Sequence, residues 1–499
     1  MSRRGSLRGL FKTRDEFDLT SGGIGRPLFY LALPIVITNL FQTAYNLADT
    51  FWLGQHSTNA LAAISFAFPM VFLVISLAIG LSVAGSVLVA QYVGAGKERR
   101  AEYAASQTIA FSILVSLLLG VVGYFSVDVL VDLLGANDAI APLAAGYMRV
   151  FMIGLVFVFG FAMFISLMRG YGDTVTPMVV MFVSVVINIV LDPFLIFGFE
   201  SNPLFGFFGL GGLEASLYAT TGYAGSGIQG AAVATIGSRA IAFVVGLWIM
   251  FRADQGVRIR LSQMVPDLEY ARRMVALGVP ASVEGAVRAV SINLLLVVVA
   301  SFSTTVVASY GIGTRVFSVV FLPAIALSQG VETMTGQNIG AGKADRADRT
   351  NHVAAAVLFV ILSAVGVVAW LFARPIAAVF TTDPAVVETS ATFIRYAAPT
   401  FGFIGIMRVY TGGFRGAGFT MVAAVIAVGT LGLIRLPVAW FGAGLLGVSG
   451  LWLSFPASNV IGALASYLWF RRGTWRDRNL AADEESANHQ RTTTSTTDD

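Results

Sequence analysis

Acids set in long apolar stretches are the first places to look for chemistry. In NLADTFWLG (46–54), Asp49 follows a run of mostly apolar, aromatic and amide residues. A carboxylate inside a membrane helix costs on the order of 3 kcal/mol to insert, which makes it a functional candidate. Thr38, Gln42, Tyr45 and Asp49 follow at spacings of four, three and four, so they share one helix face, as a cavity wall requires; Asn46 lies beside them. A wet interfacial position for Asp49 is the competing reading. Asp192, in VINIVLDP, follows Asn188 by four, which puts amide and carboxylate on one face. Pro193 lacks an amide hydrogen and leaves the Ile189 carbonyl free for a cation or water. Two carboxylates close together in a low dielectric resist being ionised together. The chemistry expected of Asp49, Asn188 and Asp192 is therefore to hold a proton or a bound cation.

Other intramembrane groups receive structural readings. Glu284 and Arg288 are spaced for an ion pair, structural or gating. Glu332 is expected near a helix end and solvated, Arg169 and Arg415 at turns that set topology, and Arg435 must find an interior partner. Met163, Met168 and Met181 are core residues or, at Met181, the wall of an adaptable pocket. His56, His352 and His489 are too dispersed for a metal site. No HExxH, GxSxG or Asp-rich loop occurs, so no enzyme is expected.

The elements that carry these residues are membrane helices. Of 499 residues 56% are hydrophobic and only 12% charged, and the mean hydropathy is +0.77, more apolar surface than one soluble core can hide. A net charge of +4 is too small to suggest a nucleic-acid partner. Without cysteine, disulfides and thiolate sites are excluded. Apolar segments of spanning length fall at 28–53, 59–82, 103–126, 141–166, 177–199, 229–251, 274–299, 313–335, 350–372, 391–413, 420–442 and 448–470, predicting an all-α polytopic membrane protein of twelve transmembrane helices. Lys and Arg gather before residue 27, at 94–100, 252–273 and 340–346, and after 471, all on one side of an even count. By the positive-inside rule that side, with both termini, is cytoplasmic and the membrane is the cell membrane. The N-terminal 27 residues read as a retained polar tail, since the first apolar run is of full spanning length. Trp52, Trp248, Trp370, Trp440, Trp452 and Trp469 fall near segment ends, as an interfacial belt would place them.

The sequence also repeats. QYVGAGKERRA (91–101) returns as QNIGAGKADRA (337–347), RGYGDT (169–174) as RGAGFT (415–420), Pro34 as Pro280 and Ser82 as Ser328, all 246 residues apart. Six helices per half return the chain to the same side, giving two parallel lobes. The register breaks after residue 200, so 200–226 is expected as an enlarged outer loop. GAGK is not a phosphate loop: Gln91 and Glu98, or Gln337 and Ala344, stand where a first Gly and a Ser or Thr are needed. The expected domains are a tail (1–27), a first lobe (28–251), an inter-lobe loop (252–273), a second lobe (274–472) and a disordered tail (473–499). The acids are not repeated, since Leu295 stands opposite Asp49, and the counterparts of Asp192 and Asn188, near Leu436 and Gly432, are apolar or small. A difference between matching halves marks where function was added.

The opening ALPIVITNLFQTAYNLADTFWLG, the paired GAGK loops and RGYGDTVTP followed by NIVLDP resemble the multidrug and toxic compound extrusion (MATE) family, in its DinF-like and archaeal branch, over about 20–472. The resemblance implies a monomeric secondary antiporter, driven by H+ or Na+ and without a cofactor, that expels organic, cationic or amphipathic compounds and contacts membrane lipid. It implies ion binding at Asp49, Asn188 and Asp192, neighbouring positions at Thr235 and Tyr147, a cavity including Gln42, Tyr45, Asn46 and Met181, and bending near Pro34. One position departs, because Ile165 stands where the family often has Asn. A flippase for lipid-linked sugars of related architecture is the main alternative, but would be expected to line its cavity with basic residues. A lipid-modifying enzyme and a channel fit less well.

Overall fold

The computed structural model describes residues 11–12, 16–133, 135, 137–252 and 256–482. The remaining parts of the expected terminal tails lie outside the described residues. The first half contains α1 (Gly25–His56), α2 (Thr58–Gly94), α3 (Glu98–Leu133), α4 (Ala141–Ile153), α5 (Leu155–Tyr171), α6 (Val175–Phe197), the short α7 (Pro203–Phe207) and α8 (Gly211–Thr221), and α9 (Gly227–Arg252). The second half contains α10 (Leu268–Ala300), α11 (Thr304–Gly340), α12 (Ala344–Leu371), α13 (Ala373–Ala378), α14 (Pro384–Ala397), α15 (Phe401–Gly416), α16 (Thr420–Ala427), α17 (Leu436–Leu446) and α18 (Val448–Arg471). Ten helices are long and apolar enough to cross a bilayer alone, α16 to α17 counting as one, and α4 with α5 makes an eleventh, bent by 56°. The expected twelfth, 391–413, is divided in the same way: α14 and α15 flank a 3-10 turn at Ala398–Thr400, and neither piece is long enough alone. The two breaks, at Gly154 and Thr400, are themselves 246 residues apart. Gly154 is required because a Cβ there would overlap Ile236.

The duplication is visible at the helix ends. Lys97 N donates to the Tyr92 carbonyl (2.9 Å) and Lys343 N to that of Asn338 (2.8 Å), with Gly96 and Gly342 both at φ +70. Each GAGK is thus a glycine-closed helix terminus that satisfies orphan carbonyls. Asp173 starts α6 by accepting from Val175 N and Thr176 N, both at 3.0 Å.

Each half builds its own core, one centred on Phe161, Phe164 and Met181, the other on Phe393, Phe401 and Trp452. Two helices pass between the cores of the halves. Leu28 and Leu31 of α1 pack in the second core, and Tyr270, Met274 and Leu277 of α10 in the first. The first helix of each half crosses because its basic-face end meets the other lobe before its far end returns to its own. Trp452 is 1% exposed and stacks on Phe393 at 4.2 Å, so it belongs to the core and not to an interfacial belt. The segment 200–226 is a folded cap in which the Asn202 side chain donates to the Pro193 and Gly198 carbonyls, both at 2.9 Å. Residues 473–482, assigned by composition to a disordered tail, are packed: Trp475 is fully buried against Phe470 and Leu480 N donates to Gln91 Oε1 (2.9 Å).

The lobes meet along α2, α10 and α11 near the basic face. Gln91 Nε2 donates to the Gly416 carbonyl and Gln337 Nε2 to that of Gly170, both at 3.0 Å. A Cβ on Gly94 would overlap the Gln337 carbonyl, and one on Gly340 the Gln91 carbonyl. Farther along, Gly80 lies against Gly278 and Ser282, and a Cβ on Gly285 would meet Ser76 at 3.4 Å. Gly94→Ala and Gly340→Ala are each expected to cost about 1–3 kcal/mol, as overpacking does. The detergent-solubilised protein should then melt several degrees lower than wild type. Unchanged melting would show that the seam can relax.

Candidate ion-coupling site

The first lobe gathers the acids. Asp49 on α1 is 6% exposed, Asp192 and Asn188 on α6 are fully buried, and Thr235 on α9 is 6% exposed. Thr235 Oγ1 donates to Asp49 Oδ2 (3.3 Å) and Asn188 Nδ2 to Asp192 Oδ1 (3.2 Å). Burial at this depth comes from packing of α1 and α9 against α6. The wet interfacial reading of Asp49 is thereby excluded. Tyr147, from α4, lies near both carboxylates. Tyr45, one turn before Asp49, is 5% exposed.

Four buried oxygens at this point lack a hydrogen-bond partner: Tyr45 Oη, Asp49 Oδ1, Asn188 Oδ1 and Asp192 Oδ2. A buried polar atom left unpaired is costly. The three on Asp49, Asn188 and Asp192 can only accept unless a carboxyl is protonated, and they are satisfied by a proton shared between the carboxylates or by a hard cation, for which an all-oxygen donor set is suited. Among the described residues no cluster of His, Cys, Asp and Glu fits a multivalent metal.

Gln42 and Met181 meet at a residue that sequence reasoning missed. Arg239 of α9 is 7% exposed, donates from Nη2 to Gln42 Oε1 (2.7 Å), reaches Met181 Sδ from Nη1 (3.1 Å), and lies over the rings of Tyr45 (4.8 Å) and Phe161 (5.2 Å). The signal was present, since an arginine within a predicted span deserves the same suspicion as an acid. Asn46 is exposed, and its Oδ1 accepts from Gln42 Nε2 (3.2 Å) at the edge of this cluster. Pro34 lies within a continuous α1, its carbonyl accepting from Thr38 Oγ1 (2.8 Å).

In the second lobe several expectations are corrected. Arg415 is buried, not a surface topology determinant: its Nη1 bonds both Glu284 oxygens at 3.1 Å and its Nε bonds Glu332 Oε2 at 2.9 Å. Glu332 is only 2% exposed, not solvated, and Arg169 is buried as well. The Glu284–Arg288 pair forms, at 3.3 Å, but as the weaker contact of Glu284. Arg435 finds neutral partners, Ser458 Oγ (2.8 Å) and Asn459 Oδ1 (2.9 Å). Glu284 and Arg415 lie 131 residues apart in sequence, so local spacing suggested only the Arg288 pair.

Comparison with known proteins accounts for the architecture. The MatE family model matches residues 34–194 and again 280–441, two copies that begin 246 residues apart. The chain is 28% identical over 463 residues to an FAD transporter of Shewanella oneidensis, covering 92% of this chain and 97% of that one. It is 26% identical over 467 residues to a probable multidrug resistance protein, NorM, of Thermotoga maritima, covering 92% and 95%. A multidrug resistance MATE family transporter solved in an outward-facing conformation has the same fold, with a TM-score of 0.80 and 23% identity over 92% of this chain and 98% of that one. A duplicated two-lobed, twelve-helix bundle of this kind is a multi-pass membrane transporter and not an enzyme. The chain belongs to the MatE family.

Arg415→Met would strand Glu284 and Glu332 in the second lobe. Breaking a buried pair from one side costs about 3–5 kcal/mol, so the variant should melt far below wild type, and adding Glu332→Gln should recover part of the loss. Equal melting of Arg415→Met and wild type would show that the cluster is solvated.

Proposed function

We propose that the protein is a secondary antiporter of the cell membrane, with its basic face and both termini in the cytoplasm, and that inward movement of a proton or sodium ion drives export of small organic compounds. The observation that carries this reading is the set of four unpartnered oxygens around Asp49 and Asp192. Such a group is stable with a positive charge among it and strained without one, so its ligation state biases the packing of α1, α6 and α9. Ion and cargo are coupled when they favour different arrangements of the lobes. The seam at the basic face, closed by Gln91 and Gln337, corresponds to a state open to the outside, in which the ion enters and the cargo leaves. Bending of α1 near Pro34, where the helix lacks one backbone bond, accompanies ion binding. The names of the relatives, drug resistance proteins and an FAD transporter, support small organic molecules as cargo.

Asp49→Asn and Asp192→Asn should each reduce gradient-driven efflux to background while leaving the melting temperature within a few degrees of wild type. The assay is proteoliposomes under an imposed pH or sodium gradient, with ethidium and carboxyfluorescein as probes. Whichever gradient drives wild-type transport identifies the ion. Wild-type rates in both variants would refute the site.

A further inference from the structure

The resemblance implies cationic or amphipathic cargo, yet the charges of the interior point the other way. In the first lobe, the surfaces that would recognise an organic cation, two aromatic faces and an amide oxygen, are engaged by the guanidinium of Arg239. In the second lobe, four arginines, Arg288, Arg408, Arg415 and Arg435, stand within the helices against two interior glutamates, Glu284 and Glu332. Arg415 takes both oxygens of Glu284 and one of Glu332, so it consumes most of the negative charge. Arg288 keeps a single 3.3 Å bond to Glu284. Arg435 has no carboxylate partner among the described residues.

Arg288 and Arg435 share a second property. Arg288 shares one face of α10 with the buried Glu284, Ser291 and Leu295, yet its side chain keeps 26% of its surface accessible, and Arg435 is likewise only partly covered. Deep position with residual access is the mark of an internal cleft. The helix that carries Arg288, α10, packs against the π-helical stretch Val428–Arg435 that presents Arg435. Such local widenings of a helix recur at functional sites. Arg435 also lies over the Phe455 ring at 4.8 Å, a flat apolar surface beside the charge. Uncompensated cations in a membrane interior are expensive and are retained where a ligand supplies the counter-charge.

We propose that the partly accessible space between α10 and the Val428–Arg435 stretch binds organic anions, aromatic compounds bearing a carboxylate, sulfonate or phosphate group, and that Arg288 and Arg435 hold the anionic group. This rests on the antiporter reading and narrows its cargo. Arginine suits the task because its planar fork pairs two oxygens at once. The acids that serve the ion and the arginines that serve the cargo then lie in different lobes.

The test uses the full chain in proteoliposomes, comparing carboxyfluorescein with ethidium, and a fluorescently tagged anionic phospholipid whose flipping is read by dithionite quenching. Wild type should move carboxyfluorescein in preference to ethidium, and Arg288→Gln and Arg435→Gln should each lower that rate roughly tenfold to a hundredfold, the scale of one lost charge-assisted bond. Arg435→Lys should fall between. Fluorescence titration of probe binding under zero gradient should weaken in parallel, which separates cargo binding from ion coupling; melting temperatures exclude variants that do not fold. Arginine-dependent movement of the phospholipid with no movement of carboxyfluorescein would support the anion site with a lipid as the source. Ethidium transport at a rate unchanged by both glutamine variants, with no anion moved or bound, overturns the proposal and leaves the antiporter intact. Gradient-insensitive behaviour of every probe in folded wild-type protein removes the antiporter reading and this proposal with it.

Discussion

The structure depends on a reciprocal contact between its halves. Gln91 reaches the carbonyl of Gly416 and Gln337 reaches that of Gly170, while Gly94 and Gly340 give up their side chains so that α2 and α11 can touch through their backbones. No apolar driving force favours one membrane helix over lipid, so close packing by small residues and hydrogen bonds across the interface must do the joining. This requirement explains why the repeated motifs are rich in glycine and glutamine. They are the two copies of one lock.

On this shared frame the lobes carry opposite chemistry. Glu284 stands where the first half has Thr38, and Glu332 where it has Ser86, whereas Asp49 faces Leu295 across the duplication. Just before the proline of its fifth span the first lobe has Asp192; at the matching proline of the second, Pro437, the preceding residues are Arg435 and Leu436. The same frame thus carries a charge of either sign at corresponding places in its two halves. Arg415 and Arg169 stand at equivalent positions but differ in their partners: Arg415 is held by two glutamates of its own lobe, whereas the Arg169 side chain, among the described residues, donates only to Ser166 Oγ (3.3 Å) and its backbone carbonyl accepts from Thr333 across the seam (3.2 Å).

Much of this was legible in the sequence. Length and hydropathy mark the spans because a bilayer imposes both, and the spacing of 246 located even the paired breaks once one was seen. The cluster of Asp49, Asn188 and Asp192 was legible because acids are rare in apolar helices. Less visible were groups whose meaning depends on distant partners. Arg415 next to a turn resembles any basic flank, and only the approach of α10 and α11 makes it the hub of an ion network. Arg239 hid in a small-residue stretch, and Trp452 near a helix end resembled an interfacial anchor until Phe393 covered it. Residues 473–482 are polar enough to suggest disorder, yet Trp475 finds a slot beside Phe470 that composition cannot reveal.

The threading of α1 carries a mechanical corollary. Leu28 and Leu31 are gripped by one core while Tyr45 and Leu53 are gripped by cores of the other lobe, with Pro34 in between. A rod clamped at both ends in two bodies cannot stay straight while those bodies pivot. Any rocking of one lobe on the other is therefore paid out as curvature at the rod's weakest turn, and α10, clamped in mirror fashion about Pro280, must flex in step.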